Sequence, residues 1–172
     1  MCCEYIRLKS LKDPTEESDG LRILIARFRP RYLRKEEENW NEWWKELAPS
    51  RSLWKEYLKD KKIDWEEYSK RYIEEIKGNP QAVKALHKLS YHINNKITKK
   101  SLDFYSQKEE HVLSDNNDYL RKFKVVTLLC HCRDEMHCHR SIVKGMINDS
   151  KVMESFEDGS HDQDKVSFKI RG

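Results

Sequence analysis

The fold is decided by residues 125–140, whose sequence is VVTLLCHCRDEMHCHR. The five residues before Cys130 form a continuous apolar and β-branched run, which is typical of a strand buried on both faces of a parallel sheet. A polar loop follows, and residues 141–147 then start with a hydroxyl and carry apolar residues at helical spacing, which predicts a short helix. Strand, loop and helix in this order aim backbone amides and side chains at a ligand. We therefore expect the functional site in this stretch.

The composition indicates one globular unit with a densely charged surface. A length of 172 residues suits one domain and is too short for two ordinary ones. Charged residues make up 37% of the chain and hydrophobic residues also 37%, so some segments are expected to be extended or disordered. The formal net charge of +4 allows a basic patch but does not by itself indicate a nucleic-acid-binding protein.

The sequence predicts a cytoplasmic protein that does not enter the membrane. No apolar run approaches the roughly 20 residues of a membrane span, and residues 1–7 lack the apolar segment of a signal peptide. Five cysteines are an odd number in such a chain, so reduced thiols or metal ligands are expected before a disulfide framework. Cys2 and Cys3 are adjacent at the terminus, where a mutual disulfide would be strained, and we assign them no function.

Two more strands and a basic run are predicted near the beginning of the chain. Tyr5–Lys9 alternates apolar and basic residues, as an edge strand does, and Leu21–Phe28 has the composition of a buried strand that ends before Pro30. From Arg22 to Lys35 there are six basic residues and no acidic one. Most such runs are solvated loops, but three arginines lie at the carboxyl end of the predicted central strand, where open α/β sheets bind ligands: Arg27, Arg29 and Arg31.

The middle of the chain is predicted to be helical. Four apolar residues at helical spacing predict a helix over about residues 36–47 with its tryptophans packed in the core: Trp40, Trp43, Trp44 and Leu47. Three later helices have recognisable starts. Ser50 or Ser52 caps the first, Asp64 with Glu67 forms a capping box for the second, and Asn79 followed by proline opens the third.

Together these elements predict a single-domain α/β fold with a mainly parallel sheet flanked by helices, in a Rossmann-like layering. We assign residues 1–150 to this domain. Residues 94–117 are polar and without clear periodicity. Residues 151–172 form a polar tail, in which Val166, Phe168 and Ile170 alternate as in a small edge strand.

Several separated motifs resemble, in the same order, the YeaO-like family, also called domain of unknown function 488. They cover roughly residues 5–77 and 124–147. In chain order they are IRLK (6–9), DGLRILIARFRPRYLRKE (19–36), WWKELAPS (43–50), WEEY (65–68), RY (71–72), VTLL (126–129) and DE (134–135). The resemblance implies a compact α/β fold with no established reaction, and it implies that the segment near 94–117 is an insertion.

The chain departs from this family pattern at Ala26, Phe28 and Tyr32, where the family usually has an acidic residue, a tryptophan and a glycine. Loss of that carboxylate makes the neighbourhood of the arginines more positive. The wider family often ends its last strand in a cysteine, an acidic residue and a Cys-His-Arg triplet, and five residues here resemble that pattern: Cys130, Glu135, Cys138, His139 and Arg140. His131 and Cys132 are additions to it.

The first functional hypothesis is a thiol-dependent enzyme that acts on a small anionic or phosphorylated substrate. In a parallel sheet the arginines after the second strand would approach the cysteines, where guanidiniums bind phosphate or carboxylate and lower a thiol pKa. The catalytic candidates are Cys130 or Cys138 as nucleophile, His139 as acid/base, and Arg140. The anion-binding candidates are Arg27, Arg29 and Arg31. The spacing does not fit a phosphatase loop, because position 136 is methionine where that loop has arginine.

The second hypothesis is a zinc or copper site. Cys130, His131, Cys132, His137, Cys138 and His139 offer six soft or borderline ligands within ten residues, and zinc takes four in a tetrahedron. The preferred ligands are Cys130, Cys132, Cys138 and His139. Against a metal, adjacent residues seldom chelate one ion and no Cys-x-x-Cys knuckle is present. Both hypotheses compete with buried, inert cysteines.

The third hypothesis is a nucleic-acid or partner-binding module that uses the run from Arg22 to Lys35. Phe28 and Tyr32 are interleaved with arginines, which suits stacking and backbone contact. Acidic residues elsewhere argue against a broad basic face, so a small anionic partner is favoured over a nucleic acid.

Overall fold

The computed structural model describes residues 5–94, 123, 125–149 and 153, and in these residues four parallel strands form one sheet. The strands are β1 (Ile6–Ser10), β2 (Leu21–Leu24), β3 (Glu42–Trp43) and β4 (Val126–Cys130), and their spatial order is β1-β4-β2-β3. β4 is last in sequence but pairs with a strand on each side, which explains its uninterrupted apolar character. The predicted α/β fold with a mainly parallel sheet is confirmed.

In the part of the chain that the structure describes, four α-helices accompany the sheet: α1 (Arg51–Trp54), α2 (Trp65–Lys77), α3 (Pro80–Asn94) and α4 (His139–Asn148). α1 continues into a single π-helical turn over Lys55–Lys59. Short 3-10 helices cover Glu17–Asp19, Lys35–Glu37 and Lys45–Leu47. No helix in the described ranges is long and apolar enough to cross a membrane.

The three predicted helix starts are confirmed by their capping hydrogen bonds. Ser50 Oγ accepts from the Leu53 N–H at 3.1 Å, and Asp64 Oδ1 accepts from the Glu67 N–H at 2.8 Å. Asn79 Oδ1 accepts from the Gln81 N–H at 3.1 Å. These side chains satisfy amide groups that the first helical turn leaves without a partner.

The core follows the two-residue alternation of the strands. Ile23 and Leu128 point into the main core, which the helices cover with Tyr72, Leu86 and Val143 among others. Their chain neighbours Leu24 and Leu129 point to the opposite face, into a smaller cluster with Leu11 and Ala26 that Trp40 and Trp43 cover. Because Val143 belongs to the main core, helix α4 packs on the sheet, and its first turn lies beside the end of β4.

The predicted helix over residues 36–47 is wrong. Trp43 lies in the short edge strand β3, and the Trp44 N–H donates to the Leu24 carbonyl oxygen at 2.9 Å. A strand places neighbouring side chains on opposite faces, so Trp44 enters the main core while Trp43 covers the smaller cluster. Pairing with the open edge of β2 thus stabilises an extended chain here more than the helical spacing stabilises a helix. Trp44 is nevertheless buried, as predicted.

Two element boundaries also differ from prediction by two residues or more. β2 ends at Leu24 rather than at residue 28, because the next carbonyl oxygens accept from side chains: Ile25 from His139 and Ala26 from the Trp43 indole. Helix α4 begins at His139, two residues before Ser141. The predicted tail strand, the predicted insertion near 94–117 and the terminal cysteines lie outside the described residues.

A buried ion cluster lies beside the β1–β4–β2 sheet. Asp19 is fully buried and pairs with Lys9 Nζ at 2.6 Å and with the guanidinium of Arg22. Thr127 Oγ1 donates to the Asp19 carbonyl oxygen at 2.7 Å, which ties the cluster to β4. Burial alone would raise the pKa of Asp19, but hydrogen bonds from Lys9 and the Glu16 backbone, with the Arg22 charge, lower it overall.

Candidate functional site

The candidate site lies at the carboxyl edge of the sheet, in the loop between β4 and α4. β4 ends at Cys130, and Cys138 is the N-cap residue of α4. Asp134 folds the loop between them, because its Oδ1 accepts from the Met136 N–H at 2.9 Å and from the His137 N–H at 3.2 Å. This turn returns Cys138 toward the end of β4.

Three thiol groups converge in this loop. The sulfur atoms of Cys130, Cys132 and Cys138 all lie within 4.8 Å of one another, and the Sγ atoms of Cys130 and Cys132 are 3.8 Å apart. Cys130 and Cys138 are buried, whereas Cys132 is half-buried. A tetrahedral ion with metal–sulfur bonds of about 2.3 Å separates two sulfur ligands by roughly 3.8 Å. The observed spacing is therefore close to that of a thiolate-bound ion.

Arg140 lies beneath the loop and is only 1% exposed. Its Nε donates to Cys138 Sγ at 3.2 Å, and its Nη2 donates to the carbonyl oxygens of Cys132 at 2.9 Å and Asp134 at 3.4 Å. Within the described ranges no carboxylate forms an ion pair with Arg140. A buried guanidinium needs a nearby negative charge, and the sulfur of Cys138 is placed to supply it.

The three thiols differ in acidity. Hydrogen bonds from Cys130 and Cys132 lower the pKa of Cys138 far below its usual range, against the opposing effect of burial. The hydrogen bonds with Cys132 and Cys138, together with burial, raise the pKa of Cys130 well above its usual range. The hydrogen bond from Cys130 lowers the pKa of Cys132. The hydrogen bond between Cys132 and Cys138, together with burial, has the larger opposite effect and raises the pKa of Cys132 to about 11. These opposed pKa directions favour negative charge at Cys138, the sulfur that contacts Arg140.

His139 is oriented by the loop that follows β2. Its Nε2 lies 2.6 Å from the Ile25 carbonyl oxygen. Because a carbonyl oxygen only accepts hydrogen bonds, Nε2 carries the proton, and the lone pair of a neutral ring is then on Nδ1. That Nδ1 lies 3.7 Å from Cys138 Sγ. The imidazole therefore places Nδ1, a nitrogen that can accept a proton or bind a metal ion, beside the thiol cluster.

Aromatic side chains of the π-helical turn and α2 form a wall beside the loop. Tyr57 and Tyr68 stack with ring centroids 4.4 Å apart, and Trp65 meets the edge of His137 at 5.4 Å. Tyr72 meets His139 edge-on at 5.8 Å. Burial, followed by the nearby Cys138 charge, raises the pKa of Tyr68, so this wall remains neutral and apolar toward the thiols.

The three predicted anion-binding arginines lie in the loop after β2. Arg27 Nε donates to the Pro49 carbonyl oxygen at 2.6 Å, Arg29 pairs with Glu38, and Arg31 is exposed. No hydrogen bond or ion pair of the described residues joins any of the three to a cysteine. Their role in anion binding stays a prediction, although the two loops do meet where His131 Nε2 lies 3.1 Å from the Phe28 carbonyl oxygen.

Comparison with known proteins identifies the family to which this chain belongs. A family model described as "Active DUF488-N3 subclade" matches residues 6–113 and 102–151, more than half of the chain. The chain belongs to the DUF488 family. The uncharacterised protein YeaO of Escherichia coli is 36% identical over 81 residues, which cover 47% of this chain and 70% of YeaO. The predicted resemblance to the YeaO-like family is thus confirmed.

Further DUF488 relatives are more distant. The uncharacterised protein Rv3073c of Mycobacterium tuberculosis is 30% identical over 71 residues, which cover 41% of this chain and 59% of the relative, less than two thirds of its length. No solved structure matches the chain. These DUF488 relatives carry no named activity.

Sequence reasoning placed the thiols and missed their surroundings. The predicted catalytic and metal residues are Cys130, Cys132, Cys138, His139 and Arg140, and the structure brings these five together. The aromatic wall was not predicted as part of the site. Its signal was the spacing of Trp65, Tyr68 and Tyr72 on one face of the DUF488 helix α2, but only the tertiary fold shows that this face meets the thiols.

Proposed function

We propose that this DUF488 protein binds a zinc ion through Cys130, Cys132 and Cys138. The observation that carries the proposal is the mutual approach of the three sulfur atoms to within 4.8 Å, with 3.8 Å between the first two. Thiolates are ligands that zinc prefers, and the sulfur spacing suits its tetrahedron. The burial of Cys130 and Cys138 also favours a bound ion over an exposed nucleophile.

Charge balance supports zinc over cuprous copper at this site. Three thiolates around a divalent ion carry one net negative charge, which the buried Arg140 neutralises. A monovalent ion would leave one negative charge without a partner in the interior, which is costly. The hydrogen bond of 3.2 Å from Arg140 to Cys138 Sγ matches the outer-shell contacts that orient metal ligands.

A three-cysteine site leaves the fourth zinc position for another group. Catalytic zinc sites keep one such position for water or substrate, whereas structural sites fill all four. His139 has its Nδ1 3.7 Å from Cys138 Sγ but is not among the three mutually close donors. We therefore assign it to the edge of the site, next to the open position.

The deciding experiment is the zinc content of untagged protein purified under reducing conditions, measured by mass spectrometry. We expect about one zinc per chain in the natural protein, as the donor set requires, and almost none in Cys130→Ser, Cys132→Ser or Cys138→Ser. A Cys2→Ser/Cys3→Ser double variant is the matched control and should keep its zinc. The proposal fails if the natural protein takes up no zinc on reconstitution, or if all three single variants keep it.

A second candidate function is a thiol-dependent enzyme with Cys138 as nucleophile. The arrangement of nucleophile, base and orienting group supports it, because His139 Nδ1 faces Cys138 Sγ and the Ile25 carbonyl oxygen fixes the ring. This candidate keeps the predicted small anionic or phosphorylated substrate. Metal-free protein should then contain one thiol that iodoacetamide modifies fastest near neutral pH, and Cys138→Ser but not Cys130→Ser should abolish that fast phase.

A further inference from the structure

A second surface, formed by residues 27–35 (RFRPRYLRK), is not used by the thiol site; we call it the basic–aromatic loop. Phe28 and Tyr32 are 59% and 55% exposed, the highest values among the large hydrophobic side chains that the structure describes. Isolated exposed apolar residues are ordinary. Two exposed rings within one strongly basic loop form a surface that combines aromatic and positively charged groups.

Cations surround these rings. Lys12 Nζ lies 5.9 Å from the centroid of the Tyr32 ring. Arg31, Arg34 and Lys35 are exposed, and none of them forms an ion pair with another described residue. Their charges are therefore available to a ligand.

The neighbouring carboxylates are partly occupied. Three glutamates follow the loop, of which Glu38 pairs with Arg29 and Glu37 accepts from the Arg34 N–H at 2.9 Å. Glu36 and Glu37 are both exposed and keep their negative charges, because a backbone N–H is neutral. The five cations of residues 27–35 still outnumber the three glutamates. The loop therefore keeps a positive surface despite the acidic residues beside it.

The start of the loop is anchored to the rest of the protein. Directly before it, the Ala26 carbonyl oxygen accepts from the Trp43 indole at 2.6 Å, and the first loop residue, Arg27, donates to the carbonyl oxygens of Ala48 and Pro49. Within it, the Phe28 carbonyl oxygen meets His131 Nε2 at 3.1 Å. Such anchoring reduces the ordering cost of binding a ligand at these rings.

We propose that the basic–aromatic loop binds single-stranded nucleic acid, independently of the metal site. Unpaired bases offer π faces that stack on Phe28 and Tyr32, while phosphates contact Arg31, Arg34 and Lys35. A small anion would use the cations but not the rings, and a duplex keeps its bases stacked inside. The combination of exposed rings and unpaired cations selects the single strand.

The test is fluorescence anisotropy with a labelled oligothymidylate of about 10 nucleotides, within the usual site size, at low salt. Phe28→Ala and Tyr32→Ala should each weaken binding about 5- to 100-fold, which is the range for loss of one base stack. Phe28→Trp should retain binding because it keeps a ring. Arg31→Ala should reduce the slope of log affinity against log salt by about 0.7, as expected for one lost phosphate contact on a single strand.

Matched controls lie outside the basic–aromatic loop, in α1 and the π-helical turn that follows it. Trp54→Ala removes a ring that is 44% exposed on α1, and Lys59→Ala removes an exposed cation, and both should bind as the natural protein does. The proposal is overturned by any of three results: no binding at low salt, equal losses in Trp54→Ala and Phe28→Ala, or displacement by inorganic polyphosphate with full binding retained in Phe28→Ala/Tyr32→Ala. The last result would identify a simple polyanion site.

Discussion

Arg22 and Arg140 are both buried, at 4% and 1% exposure, but different partners neutralise them. Arg22 pairs with the carboxylate of Asp19, which also holds Lys9. Arg140 contacts the sulfur of Cys138 and two backbone carbonyl oxygens. A carboxylate stays ionised at physiological pH, whereas the charge on three clustered thiols changes with protonation or a bound ion. The pair of Asp19 and Arg22 therefore stabilises the fold with a constant charge. The charge on the sulfur atoms beside Arg140 can instead change when a proton or a metal ion binds.

The largest effect is expected from Asp19→Asn. It leaves the buried Arg22 without its carboxylate and leaves the half-buried Lys9 with Glu16 alone, so the free energy of unfolding in denaturant titrations should fall by about 3–5 kcal/mol. Glu17→Gln, an exposed acid of the same 3-10 helix, should change it by less than about 0.5 kcal/mol. Folded Asp19→Asn should still bind zinc at the natural stoichiometry. A loss no larger than that of Glu17→Gln would show that Asp19 is not the structural partner inferred here.

Arg140→Gln should act on the ion more than on the fold. Loss of the hydrogen bond and charge beside Cys138 is expected to weaken zinc binding about 10- to 100-fold, as for other outer-shell groups. Competition with a chromophoric chelator measures this directly. Arg133→Gln is the control, because Arg133 is exposed in the same loop. Equal affinities for the two variants would mean that Arg140 does not tune the sulfur ligands.

The two regions should also differ in their pH dependence: the stability from Asp19 is lost in acid, and zinc affinity increases toward alkaline pH. The lowered pKa of Asp19 means that its stabilisation is complete above its ordinary pKa, near 3.8, and is lost as the pH falls through the lower folded value. Cys132, with a pKa of about 11, is protonated near neutrality and must lose its proton to bind zinc. Zinc affinity should therefore increase as the pH rises from 6 toward 9 (~10-fold or more for one proton released per unit). A flat affinity profile over this range would contradict a site that contains protonated thiols.

The smallest effect is expected from His139→Gln. It removes a buried hydrogen bond to Ile25, which should reduce stability by about 1 kcal/mol in denaturant titrations. Zinc stoichiometry should not change, because the three cysteines remain. The visible spectrum of cobalt-substituted protein tests directly whether His139 binds the metal ion. An altered visible spectrum in His139→Gln would instead make His139 the fourth ligand, as the sequence had suggested.

Much of the fold was predictable because local rules and tertiary structure agree. The capping residues Ser50, Asp64 and Asn79 act within their own helices, and the apolar run before Cys130 requires burial on both faces. The segment over residues 36–47 was not predictable in this way. Its tryptophan spacing fits a helix, but the unpaired edge of β2 selects an extended chain at Trp43, and this edge is known only once the sheet exists.

The candidate site was predictable in its residues and not in its connections. The cluster of cysteines is visible in the sequence, and the parallel sheet brings the loop after β2 to it. The arginines were expected to face the thiols, but carbonyl oxygens at Ala48 and Pro49 bind Arg27 and a carboxylate binds Arg29. Such partners come from segments far along the chain, so residue spacing carries no information about them.

The position of β4 also determines when the protein can fold during synthesis. β1 and β2 lie on either side of β4, and Ile6 pairs with Val126 near the other end of the described chain. A ribosome that has released the chain only as far as α3 has produced two strands whose shared partner does not yet exist. The nascent chain must keep these strand edges from pairing with other chains until β4 emerges. Premature termination before Val126 would therefore leave an aggregation-prone fragment in place of a smaller folded protein.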